Sequence, residues 1–383
     1  MLKIPNDSFC MLPFVHLHID EQNDIKLCCN ASSPVKKYSK EFNFDTDPDL
    51  VDVRNKMLAG EKVKYCNRCY DIDQLNAKSF RYFHSVEWIT NLKIKEVSDI
   101  NADLIFYDIR NDNTCNLGCR MCGPGFSSQL EKEFIKLKWL APTFRQKYKL
   151  NEIINLEKIK KLYVAGGEPT LMPEFKEFLE YAIKENRTDI ELRIITNGTN
   201  INKEFAGLLK KFPNKEFTIS IDGYNQVNRY IRWPSNWISL VENIKRLYEI
   251  TNRISFNITV SMWNISNLSQ LISFLNTEFN RPIIFLNEAI KGGGGHSSPF
   301  NFPNKKLALD DLSLMKTYSN YNVDIFQNKL DYFISIIEKT EIDLIELAKF
   351  FAYNDALDNS RNVKLIDYIP ELEACRSYIT KQI

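Results

Sequence analysis

The stretch NDNTCNLGCRMCGPG, Asn111 to Gly125, decides the reading of this chain. It follows the apolar run LIFYDIR (Leu104 to Arg110) and carries Cys115, Cys119 and Cys122 in a C-x3-C-x2-C arrangement. Three thiolates on one tight loop can hold three corners of a 4Fe–4S cluster, which leaves the fourth iron open to a small molecule. Structural clusters and structural zinc sites normally take all their ligands from protein. A three-plus-one set is therefore a reactive arrangement, although three cysteines alone also suit part of a zinc site.

From about residue 101 to 290, apolar runs alternate with helical periodicities. The runs that read as strands are Leu104–Arg110, Leu162–Ala165, Leu192–Thr196, Phe217–Ile221, Ile254–Val260 and Ile283–Leu286. Helical spacing links Leu130, Phe134 and Leu137, then Phe175, Phe178, Leu179 and Ala182 behind Pro173. It recurs at Phe205, Leu208, Leu209 and Phe212, and at Trp237, Leu240, Val241 and Ile244 with Ser235 as the expected N-cap. A fifth helix is expected at Leu268, Leu271, Ile272 and Leu275. Six strands joined by right-handed crossovers give an α/β fold, a parallel sheet curled into an incomplete (β/α)6-like barrel. Ligands of such folds sit at the carboxyl ends of the strands. The three-cysteine loop leaves the first strand at that end.

Three more segments stand at expected strand ends: AGGEPTL (Ala165–Leu171), TNG (Thr196–Gly198) and SIDGYNQVNRYIRWPSNW from Ser220. In this joint order the chain resembles the radical S-adenosylmethionine (SAM) superfamily, and in detail its members with a SPASM or twitch auxiliary-cluster domain. The resemblance implies a radical SAM barrel in which Cys115, Cys119 and Cys122 bind a 4Fe–4S cluster and SAM chelates the open iron. Reductive cleavage of SAM then yields a 5′-deoxyadenosyl radical that takes a hydrogen atom from substrate. Gly166 and Gly167 would let backbone approach the SAM amino group, Glu168 would pair with that cation, and Pro169 completes the motif. Thr196, Asn197, Ser220 and Asp222 are the expected polar contacts, Arg232 the partner of the SAM carboxylate, and Asn264 a further candidate. The residue before the third cysteine, often aromatic in the family, is Met121 here, which offers a soft thioether contact in place of stacking.

The amino-terminal region carries a second metal argument. FVHLHID and IKLCC flank Glu21 to Asp24 and read as a hairpin, followed by a helical piece near Leu50–Gly60 and the knuckle YCNRCY. Cys10, Cys28, Cys66 and Cys69 make four thiols, with Cys29 able to replace Cys28. The subfamily pattern has a glycine where Asn23 stands, and Asn tolerates the left-handed turn that glycine supplies. The resemblance implies a twitch-type auxiliary 4Fe–4S cluster here; four thiolates suit a structural zinc knuckle equally. The expected organisation is residues 1–100 as the auxiliary-cluster domain, 101–290 as the barrel and 291–383 as a mostly helical region. Amphipathic stripes in the last part are Val323, Phe326, Leu330, Phe333, Ile337 and then Ile345, Leu347, Phe350, Phe351.

Composition narrows the partners. The 383 residues are 44% apolar, carry a net charge of +1 and include nine cysteines. An odd cysteine count in C-x2-C-type groups favours metal over disulfides in a reducing compartment. No signal-peptide core or 18-residue apolar run occurs, so a soluble cytoplasmic protein without membrane contact is expected. The near-neutral balance gives no field for nucleic acid. The implied partners are SAM, a peptide or small-molecule substrate such as a sugar, and an electron donor such as flavodoxin or ferredoxin. The competing readings are a non-catalytic iron–sulfur or zinc protein and a nucleic-acid-modifying radical enzyme. Blander roles are expected elsewhere: Cys375 as a structural thiol, His16 and His18 as packing residues, and Lys158 to Lys161 on a solvated helix end. Gly292–Gly295 with His296 reads as a loop or substrate lid, and Asn287 and Glu288 as strand-end residues able to meet substrate.

Overall fold

The computed structural model describes residues 2–74, 78–110, 112–142, 147–279, 282–289, 295–317 and 323–381. The strands are β1 (His16–Ile19), β2 (Asp24–Lys26), β3 (Lys36–Lys37), β4 (Phe106–Ile109), β5 (Lys161–Val164), β6 (Glu191–Thr196), β7 (Lys215–Ser220), β8 (Ile254–Val260) and β9 (Ile283–Glu288). They form one sheet in the order β3-β2-β1-β4-β5-β6-β7-β8-β9. From β4 to β9 every neighbour is parallel and in chain order. The two ends of the sheet do not pair, so the barrel is open, as the six-strand count implies.

Strand alternation divides the sheet into a helix-facing and a barrel-facing surface. In β6, Leu192 and Ile194 are buried beneath helices, while Glu191, Arg193 and Ile195 are half-buried on the other face. The helix Pro173–Lys184 packs Phe175, Phe178, Leu179 and Ala182 on the outer surface, each large side chain contributing about 1.5–3 kcal/mol by leaving water. The helices 203–210, 237–248 and 268–278 repeat this arrangement. Because the apolar residues go outward to the helices, the inward positions are free to be polar, and they carry Arg110, Tyr163, Asn257 and Asn287.

Several details differ from the sequence expectation. The hairpin β1–β2 forms, with Asn23 at φ 61, but β1 also pairs in parallel with β4. The amino-terminal region therefore extends the barrel sheet, and the boundary expected near residue 100 is crossed by a hydrogen-bonded ladder. Lys161 is not on a solvated helix end. It opens β5, is buried, and pairs with Glu87 at 2.5 Å. The helix Trp237–Tyr248 is capped by Asn236, whose Oδ1 accepts from Ser239 N, while Ser235 turns inward to Asn228. Ile345 sits 69% exposed on the first turn of its helix, off the buried stripe. Residues 292–294 of the glycine run and the 290/291 boundary lie outside the described residues.

The carboxyl-terminal residues are helical, as expected, and the helix Leu344–Arg361 lies against the cysteine loop. Arg120, fully buried, donates to Asn354 Oδ1 at 3.0 Å and to the carboxylate of Asp358, and its guanidinium lies 3.6 Å from the Tyr230 ring centroid. Tyr353 donates to the Arg120 carbonyl, and Arg361 to the Gly118 carbonyl, both at 2.8 Å. Among the described residues no helix is long and apolar enough to cross a membrane. Removing one partner of a buried ion pair strands the other charge. Asp358→Ala is thus expected to destabilise the fold by about 3–5 kcal/mol, read as a lower denaturant midpoint, and an unchanged midpoint would show that Arg120 is not balanced by this pair.

Candidate active site

The cysteine loop is held by hydrogen bonds on both sides. Ser127 caps the helix Ser128–Lys136 through Leu130 N and also donates to Leu117 O at 2.5 Å. On the other side Gly118 N and Arg120 N donate to Trp233 O and Ile231 O, at 2.6 and 2.8 Å. The second strand-end loop docks on it backbone to backbone. Gly167 N donates to Asp112 O at 3.0 Å and Glu168 N to Thr114 O at 2.7 Å. A Cβ on Gly167 would stand 2.2 Å from Thr114 O, and Gly166 has φ 119, so this approach needs both glycines.

These loops surround a cavity of about 590 Å³ at the carboxyl ends of the strands. Cys115, Cys119 and Cys122 line it together with Met121, Gly166, Gly167, Thr196, Asn197, Ser220 and Arg232. The structure thus brings one wall of the cavity from each predicted motif. Arg232 reaches the cavity with its Nε 2.5 Å from Asp222 Oδ2 and Nη1 3.9 Å from Cys119 Sγ. Asn197 Nδ2 lies 3.0 Å from Asn116 Oδ1 and 3.9 Å from Cys115 Sγ.

Four expected contacts occupy a different place. Glu168, Pro169, Asp222 and Asn264 do not line the cavity. Glu168 is fully buried, and Oε1 accepts from Thr170 N, Thr170 Oγ1 and Thr196 Oγ1 while Oε2 accepts from Asn197 N at 2.6 Å. Only Oε2 retains acceptor capacity, so the carboxylate acts first as a brace between the ends of β5 and β6. Pro169 opens the short turn Pro169–Leu171 behind that brace. Asp222 holds Arg232 and accepts from Thr259 N at 2.7 Å, and Asn264 donates to the carbonyls of Asp222 and Thr259. A strand-end motif fixes which loop a residue is on, whereas a turn within the loop decides which way it points.

The interior also exposes residues that the motifs did not flag. Arg110 makes a bidentate pair with Asp108 at 2.8 and 2.9 Å, and Asp108 meets His18 Nδ1 at 2.9 Å. Burial opposes ionisation of Asp108, but Arg110 and His18 outweigh it and hold the carboxyl well below its usual range. Burial pushes His16 down to about 3, so it is neutral beside Leu27 O, 3.2 Å away. Tyr163, Asn257 and Thr259 line the cavity with Asn287 and Glu288, the last two as anticipated. The available signal was charge inside an apolar strand: Asp108 and Arg110 alternate in LIFYDIR. His296 packs 4.8 Å from the Tyr353 ring and leaves the cavity wall to Ser297. Cys375 is buried, as expected of a structural thiol.

The amino-terminal thiols converge as well. Cys10, Cys28, Cys66 and Cys69 are all buried, and each of the six pairs among them interacts electrostatically. Cys29 is exposed and turns toward Arg110 instead. Burial, then the neighbouring thiols, pushes Cys66 up to about 12, and the same causes push Cys115 to about 12. Cys66 and Cys115 are therefore neutral thiols until a cation replaces their protons. Among the described residues no three His, Cys, Asp or Glu side chains stand close enough to hold one metal ion.

The family profile described as the radical SAM superfamily matches residues 113–275. This segment, less than half of the chain, is thus similar to the radical SAM superfamily. It is 26% identical over 275 residues to the radical SAM cyclopropyl synthase TigE of Paramaledivibacter caminithermalis, covering 68% of this chain and 55% of the relative. It is 27% identical over 172 residues to the S-adenosylmethionine-dependent nucleotide dehydratase of Flammeovirga pacifica, covering 42% and 55%. The chain thus spans about half the length of these curated relatives. Among solved structures it is similar to Streptococcus suis SuiB bound to S-adenosylmethionine, at 15% identity and a TM-score of 0.39, covering 84% of this chain and 67% of that one.

The backbone contact at Gly167 gives a direct test of how this site is assembled. Gly167→Ala is expected to separate the two loops, because the obstacle is backbone and not a flexible side chain. Faster amide exchange at residues 112–118 in the variant, compared with the parent, is the expected reading. Equal exchange would mean that the loops are held together by other contacts.

Proposed function

We propose that the chain is a radical SAM enzyme that holds two 4Fe–4S clusters and abstracts a hydrogen atom from a peptide or small-metabolite substrate. The observation that carries this reading is the single cavity lined by three thiols, two glycine backbones and a buried arginine. The bound cluster and SAM would supply the reductive cleavage that makes a 5′-deoxyadenosyl radical. The chain's own residues bind, orient and exclude water. Cys115, Cys119 and Cys122 would hold three irons. Arg232, oriented by Asp222, would take the SAM carboxylate, and its charge is kept because Asp222 and Cys119 outweigh burial.

On this reading the backbones of Gly166 and Gly167, with Thr196, Asn197 and Ser220, face the amino group and ribose side of SAM, and Met121 lies along the adenine. Glu168 fixes Thr196 and Asn197 and offers Oε2 for the ammonium. Asn264 sets the Asp222 and Thr259 backbones. Substrate would occupy the barrel interior among Arg110, Tyr163, Asn257, Asn287 and Glu288. Residues 1–100 would act as the twitch-like unit, with the auxiliary cluster on Cys10, Cys28, Cys66 and Cys69. Four buried thiols gathered in one place without closing on a single ion suit a multi-iron cluster better than zinc. The reading includes a cytoplasmic setting and a flavodoxin- or ferredoxin-type donor. The relatives' names, a cyclopropyl synthase and a nucleotide dehydratase, support a spread of substrates and not one class.

Anaerobically reconstituted protein is expected to release 5′-deoxyadenosine from SAM with dithionite. The triple change of Cys115, Cys119 and Cys122 to Ala should abolish it, and undiminished cleavage would refute the assignment. Iron should amount to about eight atoms per chain and fall to about four in Cys66→Ala/Cys69→Ala. Zinc in place of that iron, after purification from iron-replete cells, would instead identify a structural knuckle. The thiols sit well above pH 7 while ligands must be thiolates, so cluster loading should release protons and improve from pH 6.5 to pH 8.5. Loading that is independent of pH would show that these thiols are not the ligands.

A further inference from the structure

The cysteine loop is a wall one residue thick between two spaces. Cys115, Leu117 and Cys119 line the inner cavity, whereas Asn116 and Gly118 line a separate outer groove of about 500 Å³. The far side of this groove is the helix Ser128–Lys136, which presents Gln129, Lys132 and Lys136 at i, i+3 and i+7, on one exposed face. The one carboxylate lining the groove, Glu133, is already held by Arg361 at 2.6 Å. Lys132 and Lys136 have no ion pair among the described residues. Beyond them Trp233 lines the groove, with the exposed Arg229 guanidinium 5.7 Å from its ring. The surface immediately behind the thiols is thus cationic, although the whole chain carries a net charge of only +1.

We propose that this groove is the docking surface of the electron donor and that the occupant is a small acidic redox protein. The inference rests on the radical SAM reading above, because only that reading requires an electron at the cluster. One electron leaves the donor's reduced flavin or iron–sulfur centre, which is oxidised, and the cluster on Cys115, Cys119 and Cys122 is reduced by one. Electron transfer falls steeply with distance, and this is the face where only the loop backbone intervenes. The inner cavity cannot serve, since SAM and substrate fill it on the same reading. An acidic partner is favoured because Lys132, Lys136 and Arg229 form no ion pair among the described residues and Glu133 is taken by Arg361, and such charges chiefly raise the rate of encounter.

The test compares Lys132→Glu/Lys136→Glu and the milder Lys132→Ala/Lys136→Ala with the parent and with a control reversed at the opposite end of the sheet, Lys160→Glu/Lys184→Glu. Binding of oxidised, dye-labelled flavodoxin to the reconstituted protein is followed by anisotropy, without turnover. SAM cleavage is driven separately by reduced flavodoxin and by dithionite. The charge-reversed variant should lose about tenfold or more in flavodoxin binding and flavodoxin-driven rate, with its salt dependence flattened. The alanine variant should fall between, and the control should match the parent. Dithionite-driven cleavage should be the same in all four. Flavodoxin affinity and rate within twofold of the parent in the reversed variant would overturn the docking site while leaving the radical SAM reading intact. An equal loss with dithionite would overturn it too, by showing that the lysines support the loop and not a partner. Failure of the parent itself to cleave SAM with dithionite would instead refute the reading on which the proposal rests.

Discussion

The buried guanidinium of Arg120 is the interaction on which the site depends. It sits between Cys119 and Cys122 with no access to water, so its charge must be balanced from within the protein. Asp358 and Asn354 do so from the carboxyl-terminal helix, and Tyr230 covers the guanidinium from the segment after β7. Two stretches distant in sequence are thereby tied to one loop. This knot holds the middle of the loop, and Ser127 holds its end.

The second constraint is steric. Gly167 permits the backbone after β5 to pair with the backbone before Cys115, which continues the β4–β5 ladder past the last strand residues. The Glu168 carboxylate then reaches across to Thr196 and Asn197 and secures the end of β6. Strand-end loops are normally the mobile part of an α/β fold. Here the loops after β4, β5 and β6 are hydrogen-bonded to one another.

Charge placement follows the same logic on the inner face. Helices cover the outer face of the sheet and take the apolar residues, so the inner face can carry Asp108, Arg110, Asn257 and Asn287. The pair Asp108–Arg110 is anchored by His18 of β1, a residue of the amino-terminal region. The amino-terminal strands and the barrel interior thus share one sheet. Their coupling is structural before it is chemical.

The sequence alone determined the strand and helix order, the open parallel barrel, the rim on which the motifs meet and both groups of cysteines. These follow from local periodicity and from thiols too closely spaced in the chain to be incidental. What only the tertiary structure decided is direction and partnership. Glu168 and Asn264 turned inward as braces, because a turn of one residue decides which face a side chain meets. Cys28 was separated from Cys29 because neighbours on a chain point opposite ways, one into the buried group and one toward Arg110. The clamp on Arg120 was invisible, since Asn354 and Asp358 read as ordinary helix residues until a buried charge some 230 positions earlier gives them a purpose. Periodicity reports which face of an element is buried. It carries no information about which distant charge that face must neutralise.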